Sequence, residues 1–251
     1  MHDMNKSNTR NVSRLTSDRA ARVYSHHADE QHLHAPVISS HIASPRSQLS
    51  TATGAYRRWA KRFLDIAIVI CSLPVFLPVI LLVAVVIKIE DPKAPVFFTQ
   101  LRTGLGGKRF GMFKFRTMVV NADEIKSQLA ELNSLAWPDF KIVDDPRITR
   151  IGRLLRKTSI DELPQLFNIL LGHMSLVGPR PTSFDVSTYN LWQSERLEVR
   201  PGLTGLWQIA GRGQMEFDQR VRLDIAYIKN RSLLLDLKIL FLTVPAALRG
   251  A

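Results

Sequence analysis

Ile66-Ala67-Ile68-Val69-Ile70-Cys71-Ser72-Leu73-Pro74-Val75-Phe76-Leu77-Pro78-Val79-Ile80-Leu81-Leu82-Val83-Ala84-Val85-Val86-Ile87 is a run of 22 residues without a charge. As straight helix it would cover roughly 33 Å, enough to cross the hydrocarbon core of a bilayer. Length and composition therefore predict a membrane segment. Pro74 and Pro78 fall in its middle, where each removes a helical hydrogen bond and Pro78 in particular favours a break. Both flanks are basic: Arg57, Arg58, Lys61 and Arg62 precede the run, and Lys88, Lys93, Arg102, Lys108, Arg109, Lys114 and Arg116 follow it. Positive charge favours the cytoplasmic side. A segment that enters and returns to one face satisfies both flanks, whereas a kinked spanning helix strands one of them outside. Asp65, at the entry, is expected to pair with Arg62 or Lys61, because ionisable groups in a membrane need partners.

The rest of the chain bounds the partners. In 251 residues there is room for one substantial domain and an appendage. Lys and Arg number 34 against 22 Asp and Glu, a formal charge of +12, which points to nucleic acid, nucleotides or an anionic membrane face. No helix-turn-helix, zinc-ligand spacing or aromatic-basic sheet signature supports nucleic acid. The single cysteine, Cys71, excludes an intrachain disulfide framework, favours a reducing compartment and reads as a small lipid-facing or core residue. Residues 1–55 hold six of the seven histidines but no sustained apolar periodicity, so a disordered tail is expected there. Irregular histidine spacing in such a segment offers no preorganised metal site, and no apolar region makes it a signal peptide.

Beyond the membrane run, Val96 to Gln100 reads as a strand, Gly104 with Gly106-Gly107 as a turn, and Arg109 to Arg116 as a second strand. With Phe113 and Phe115 on one face, Lys114 and Arg116 share the other, where two cations suit a diphosphate. A solvated strand edge is the competing reading. Asn121 to Leu135 has helical periodicity, Asp144-Asp145-Pro146-Arg147 reads as a turn, and Arg150 to Lys157 as a short helix delivering Arg156. A polar helix is expected around Tyr189, Trp192 and Glu195, a buried strand over Thr204 to Ile209, a ligand-approaching loop at Gly211-Arg212-Gly213, and a helix from Glu216 to Asn230 with structural Asp224 and Tyr227. The closing run, Ser232 to Leu248, stops at Pro245 in this reading and is amphipathic, resting on the membrane or the core.

Thr158-Ser159-Ile160-Asp161-Glu162-Leu163-Pro164-Gln165-Leu166 carries the chemistry. Two adjacent carboxylates open a predicted helix among Arg150, Arg153, Arg156 and Lys157, with Arg180 held in the rigid Val177-Gly178-Pro179-Arg180-Pro181 turn. Carboxylates among fixed cations suit phosphate chemistry, and a helix start also attracts anions. A structural reading stands beside this one: Ser159 and Glu162 fit the S-x-x-E capping box.

Asp161-Glu162-Leu163-Pro164-Gln165-Leu166-Phe167-Asn168, followed by Gly172 to Pro181, resembles the bacterial sugar transferase family, the monotopic polyprenyl-phosphate phosphoglycosyl transferases. Lys114 to Met118, Asp145 to Thr149 with Ile151-Gly152, and Arg200 to Gly205 extend the match, which runs from about Arg57 to Arg249. The resemblance implies a mainly helical α+β fold: a re-entrant helix-break-helix membrane hairpin turning at Pro78 over residues 56–90, then a small cytoplasmic catalytic domain with interfacial helices over 91–251. Leu77 stands where the family commonly has serine. Transfer of a hexose 1-phosphate, galactose or glucose favoured, from a UDP-sugar to polyprenyl phosphate is implied, initiating exopolysaccharide repeat units at the bacterial inner membrane. Asp161 is the implied nucleophile and ligand of a Mg²⁺ ion, Glu162 its catalytic neighbour. Lys114, Arg116, Arg156, Arg180 and Arg212 are the implied substrate-phosphate ligands. A second copy of the chain and other polysaccharide-assembly enzymes are further candidate partners. The alternative function is a non-catalytic membrane component of such an assembly.

Overall fold

The structure, a computed structural model, describes residues 59–126, 129, 142, 144–211 and 215–248. The expected tail over 1–55, the second half of the Asn121–Leu135 helix and Arg212 lie outside the described residues. Gln48 onward forms one compact unit.

Helix α1, Lys61–Glu90, takes in the whole apolar run, with Pro74 and Pro78 inside it. The predicted break does not appear as an interruption: the element is helical from end to end. Ser72 turns its hydroxyl back to the Val69 carbonyl at 2.8 Å, just ahead of the residues whose carbonyls the two prolines leave without a helical donor. Asp91 ends the helix, its N–H donating to the Ile87 carbonyl and its carboxylate accepting from the N–H groups of Lys93 and Ala94.

Side chains on both sides of the prolines pack on the rest of the protein. Val69, with Ile68 and Phe76 beside it, joins Phe110, Met112, Leu166, Ile169, Met174 and Tyr227 in the larger apolar cluster. Ile80, Val83 and Ile87, spaced to share one helix face, meet Phe115 and Leu155 in a second. The opposite face is uncovered: Phe63, Val75, Leu82 and Ile89 are each more than 60 % exposed. So much contiguous exposed apolar surface marks a face made for something other than water.

Strands β1 (Phe97–Thr103) and β2 (Arg109–Phe115) pair antiparallel from Phe97↔Phe115 to Thr103↔Arg109. Gly106 and Gly107 both take positive φ in the turn between them, which glycine adopts without a Cβ penalty. Helix α2 (Ala122–Lys126) is followed by α3 (Arg150–Lys157), as the periodicity predicts, and by α4 (Gln165–Leu170). Strands β3 (Ser175–Val177) and β4 (Gly202–Thr204) pair in parallel. A Cβ on Gly202 would lie 2.1 Å from the Gly178 nitrogen, so these strands meet at a distance only glycine permits. Helices α5 (Leu206–Ala210), α6 (Phe217–Asn230) and α7 (Leu233–Leu248) complete the fold.

Several expectations are corrected. Thr204–Ile209 is not a strand: β4 ends at Thr204, and Leu206 opens α5. The Tyr189–Trp192–Glu195 region is not one helix but two short 3-10 turns, Val186–Thr188 and Gln193–Glu198. Asp185 begins the first by accepting from Ser187 N–H, and Gln193 Oε1 takes the Asn190 N–H between them. Helix α7 continues through Pro245 to Leu248, although the proline cannot donate to the carbonyl of Phe241. Asp65 takes Lys61, one of its two expected partners, rather than Arg62. It is buried, 3.6 Å from Lys61, and accepts from Ser175 Oγ at 2.7 Å and Leu176 N–H at 3.3 Å, tying α1 to β3. Arg62 instead donates to the Ile169 and Leu170 carbonyls at the end of α4.

Candidate active site

The site is assembled where α3, a single 3-10 turn and the end of β2 converge. Thr149 caps α3 by accepting from Gly152 N–H at 2.9 Å. Gly152 lies against Thr117 so closely that a Cβ there would come within 2.1 Å of the Thr117 carbonyl oxygen. This contact carries Arg156 inward, where its Nε donates to Thr117 Oγ1 at 2.8 Å.

After α3, Ser159 takes the left-handed conformation, φ 57°, an uncommon position for a residue with a side chain. Its turn of the chain starts the 3-10 segment Ile160–Glu162. The capping-box reading fails here: Ser159 makes no side-chain cap, and Glu162 points away from the backbone to the cations. Lys114 Nζ lies 2.9 Å from Glu162 Oε1, Arg180 Nη1 donates to Glu162 Oε2 at 3.2 Å, and Arg180 Nη2 closes a second bond to Oε1. Asp161 is 7 % exposed and has one ionic neighbour within 4 Å, Lys114, at 3.8 Å.

The two carboxylates thus have different electrostatics. Burial pushes Asp161 upward; Lys114 and Arg156 oppose that, and Glu162 adds to it. Burial would raise Glu162 as well, but the charges and hydrogen bonds of Arg180 and Lys114 outweigh it and hold its carboxyl well below the usual range. Glu162 raises Arg180 in return, while burial lowers Arg156 against the pull of Asp161. Glu162 is a fixed anion that orients two cations. Among the described residues, Asp161 keeps a carboxylate edge uncommitted.

The structure therefore brings Lys114, Arg156, Arg180, Asp161 and Glu162 together. Arg116 shares the Lys114 face of β2, as alternation requires, but its Nε donates to the Pro95 carbonyl and its guanidinium lies over Phe98. It meets neither carboxylate among the described residues. Asp145 is held by Arg147 through two side-chain bonds of 2.9 and 2.6 Å, so that turn is structural. Asp224 pairs with Arg196 at 2.6 Å, and Tyr227 donates to Asp236 and the Val177 carbonyl, also structural.

Sequence reasoning missed Asn168. Fully buried, it accepts from Phe113 N–H at 2.8 Å and donates to the Gly111 carbonyl at 2.7 Å, fastening α4 to β2. Its signals were its place at the end of the Asp161–Asn168 motif and an amide between the apolar Phe167 and Ile169. No three His, Cys, Asp or Glu side chains converge as a metal cage among the described residues. What the donor set fits is an ion with Asp161 as its one protein ligand and substrate oxygens for the rest, the usual habit of Mg²⁺. A cavity of about 180 Å³ lies elsewhere, among Lys61, Arg62, Asp65, Arg200 and Tyr227. Its cations are largely committed to Asp65, Asp236 and backbone carbonyls, so charge arrangement rather than cavity volume makes the Asp161 turn the candidate site.

A membrane-length apolar helix joined to a cation-lined carboxylate turn fits the family whose model matches residues 56–250: the chain belongs to the bacterial sugar transferases. Among its relatives, the "Galactosyl transferase CpsE" of Streptococcus agalactiae is 47 % identical over 76 % of this chain and 42 % of its own length. "Exopolysaccharide production protein ExoY" of Sinorhizobium fredii is 43 % identical over 74 % of this chain and 84 % of its own. The "UDP-glucose:undecaprenyl-phosphate glucose-1-phosphate transferase" of Caulobacter vibrioides is 43 % identical over 75 % and 69 %. Some relatives are thus more than twice as long as the stretch they share with this chain.

Proposed function

We propose that this protein transfers a hexose 1-phosphate from a UDP-sugar to polyprenyl phosphate, with galactose or glucose as the hexose, at the start of exopolysaccharide repeat-unit synthesis. The observation that carries the reading is the division of labour between two adjacent acids: Glu162 locked between Lys114 and Arg180, and Asp161 buried beside them with an oxygen to spare. The named activities of the relatives supply the substrate classes.

Asp161 attacks the phosphorus that bears the sugar. A carboxylate-oxygen-to-phosphorus bond forms, the bond to the bridging oxygen breaks, and UMP leaves with the electron pair. An oxygen of the lipid phosphate then attacks the same phosphorus and releases Asp161, giving the polyprenyl diphosphate sugar. Lys114 and Arg156 flank Asp161 and neutralise the phosphate being attacked; Glu162 positions Lys114 and Arg180. Mg²⁺ held by Asp161 and substrate oxygens would supply charge neutralisation for the diphosphate. Arg212 is a further ligand of the nucleotide sugar in this scheme, and Arg116 a peripheral one.

In the same proposal α1 is a re-entrant segment bent at Pro74 and Pro78, both of whose ends stay on the cytoplasmic face of the inner membrane. Its two ends each reach the same unit, Lys61 through Asp236 at 2.6 Å and Glu90 through Ile151 N–H at 3.1 Å. That arrangement suits catalysis at the interface between a soluble anion and a lipid.

The experiment is UMP release from a panel of UDP-sugars by detergent-purified protein, with and without polyprenyl phosphate, for wild type and Asp161→Asn. Lipid-dependent release specific to one sugar, lower by at least about 10³-fold in the variant, is the expected result. No release with any sugar would favour a non-catalytic role in assembly. Release that survives in Asp161→Asn would keep the reaction and remove the nucleophile.

A further inference from the structure

Beside the acidic pair lies a guanidinium that the charge pattern of the sequence counts only as part of a basic flank. Arg102, on β1, donates from Nη1 to the Pro181 carbonyl at 3.4 Å and from Nη2 to Gln100 Oε1 at 2.5 Å, while its Nε is buried with no hydrogen-bond partner. The strand holds it there: Thr103 N–H donates to the Thr182 carbonyl at 2.9 Å and the two residues form an antiparallel bridge. Arg102 is thereby fixed alongside the Pro179–Thr182 segment that carries Arg180.

Electrostatically the arrangement is incomplete. Burial and the nearby Arg180 guanidinium push Arg102 down to about 10, with Glu162 the main pull the other way. Glu162 is already shared by Lys114 and Arg180. Among the described residues of the site, four cations, Lys114, Arg102, Arg156 and Arg180, are set against two carboxylates, Asp161 and Glu162. Buried like charges are costly side by side unless an anion joins them.

We propose that Arg102 and Arg180 form an anion subsite for the nucleotide phosphate of the UDP-sugar, the phosphate that departs as UMP. This rests on the transferase reading above. Asp161 feels Lys114 and Arg156 more strongly than Arg180, so the phosphate it attacks belongs on the Lys114–Arg156 side. Glu162 separates that side from the Arg180–Arg102 side, and the second phosphate of a diphosphate falls there. When the bond to the bridging oxygen breaks, the electron pair moves onto UMP, and two guanidinium groups meet the growing charge without any proton transfer.

The test is equilibrium binding of UMP to the full chain in detergent, for wild type, Arg102→Gln, Arg102→Lys and the surface control Arg153→Gln, alongside the KM for polyprenyl phosphate. Arg102→Gln should weaken UMP about tenfold, Arg102→Lys by less, Arg153→Gln by under twofold, with the lipid KM unchanged. If Arg102→Gln does not fold, Arg102→Lys decides, since a point charge cannot reproduce the planar fork and about threefold weakening is expected. UMP affinity equal to wild type in the Arg102 variants would overturn the subsite. Equal losses for UMP and for the lipid acceptor would overturn it too, as damage to the fold. Wild-type protein that does not bind UMP at all would instead sink the transferase reading beneath it.

Discussion

At the scale of single residues, the site turns on two carboxylates that differ by one position and oppose each other electrostatically. Asp161 must be ionised to attack, and burial raises its pKa. In Mg²⁺-free protein the Asp161 carboxyl, followed by NMR or infrared titration, should therefore ionise above the ordinary aspartate range, and ionisation at or below that range would remove the burial argument. Glu162 behaves in the opposite way. Its folded pKa is depressed, so its contribution to stability is present above the ordinary glutamate range and is lost as pH falls toward the folded value. Glu162→Gln leaves Lys114 and Arg180 facing each other without their anion. Denaturant titration at neutral pH should show a loss of about 3 kcal/mol, and a change within error of zero would mean that this ion-pair cluster does not hold the site. The acids themselves were legible in the sequence, but their division of labour was not. The S-x-x-E spacing fits a cap equally well, and only the left-handed Ser159 and the approach of β2 decide against it.

Elements matter here for the close approaches they make. Helix α3 reaches the segment that follows β2 only because Gly152 has no side chain to strike Thr117. Gly152→Ala should cost about 2–3 kcal/mol and, by displacing Arg156, lower kcat more than it raises the KM for the UDP-sugar. An unchanged kcat in a folded variant would show that Arg156 does not depend on this contact. Asn168, itself fully buried, joins α4 to β2 through two backbone groups. Asn168→Ala should destabilise by about 3 kcal/mol, read as a fall in the denaturant midpoint at unchanged slope. Strand and helix periodicities placed β1, β2 and α3 to within a few residues. The strand expected over Thr204–Ile209 failed because hydrophobicity alone does not distinguish a five-residue helix from a short strand; the parallel pairing with β3 ends at Thr204.

For the whole molecule, α1 is both an apolar helix long enough to cross a membrane and a core element. Its inner face supplies Val69, Ile80, Val83 and Ile87 to the two apolar clusters, and its outer face is left uncovered, as are Leu234, Phe241 and Val244 of α7. In a Cys71→Ser background, single cysteines placed ahead of Arg57 and after Lys93 should both react with an impermeant thiol reagent from the cytoplasmic side only. Labelling from opposite sides would make α1 a spanning helix. The sequence by itself determined the membrane segment, the basic flanks, the acidic pair and the family, because these are properties of composition and local order. Only the tertiary structure decided which cations meet which acid. Lys114, Glu162 and Arg180 are far apart in the chain and converge through β2, the 3-10 turn and the Pro179–Pro181 segment. Arg116, equally promising as sequence, is drawn off by the Pro95 carbonyl, and Asp145 is held by Arg147 in the turn the sequence predicts. Charge near a site can be counted along a chain, but a partner is chosen at about 3 Å, and that distance is set by packing.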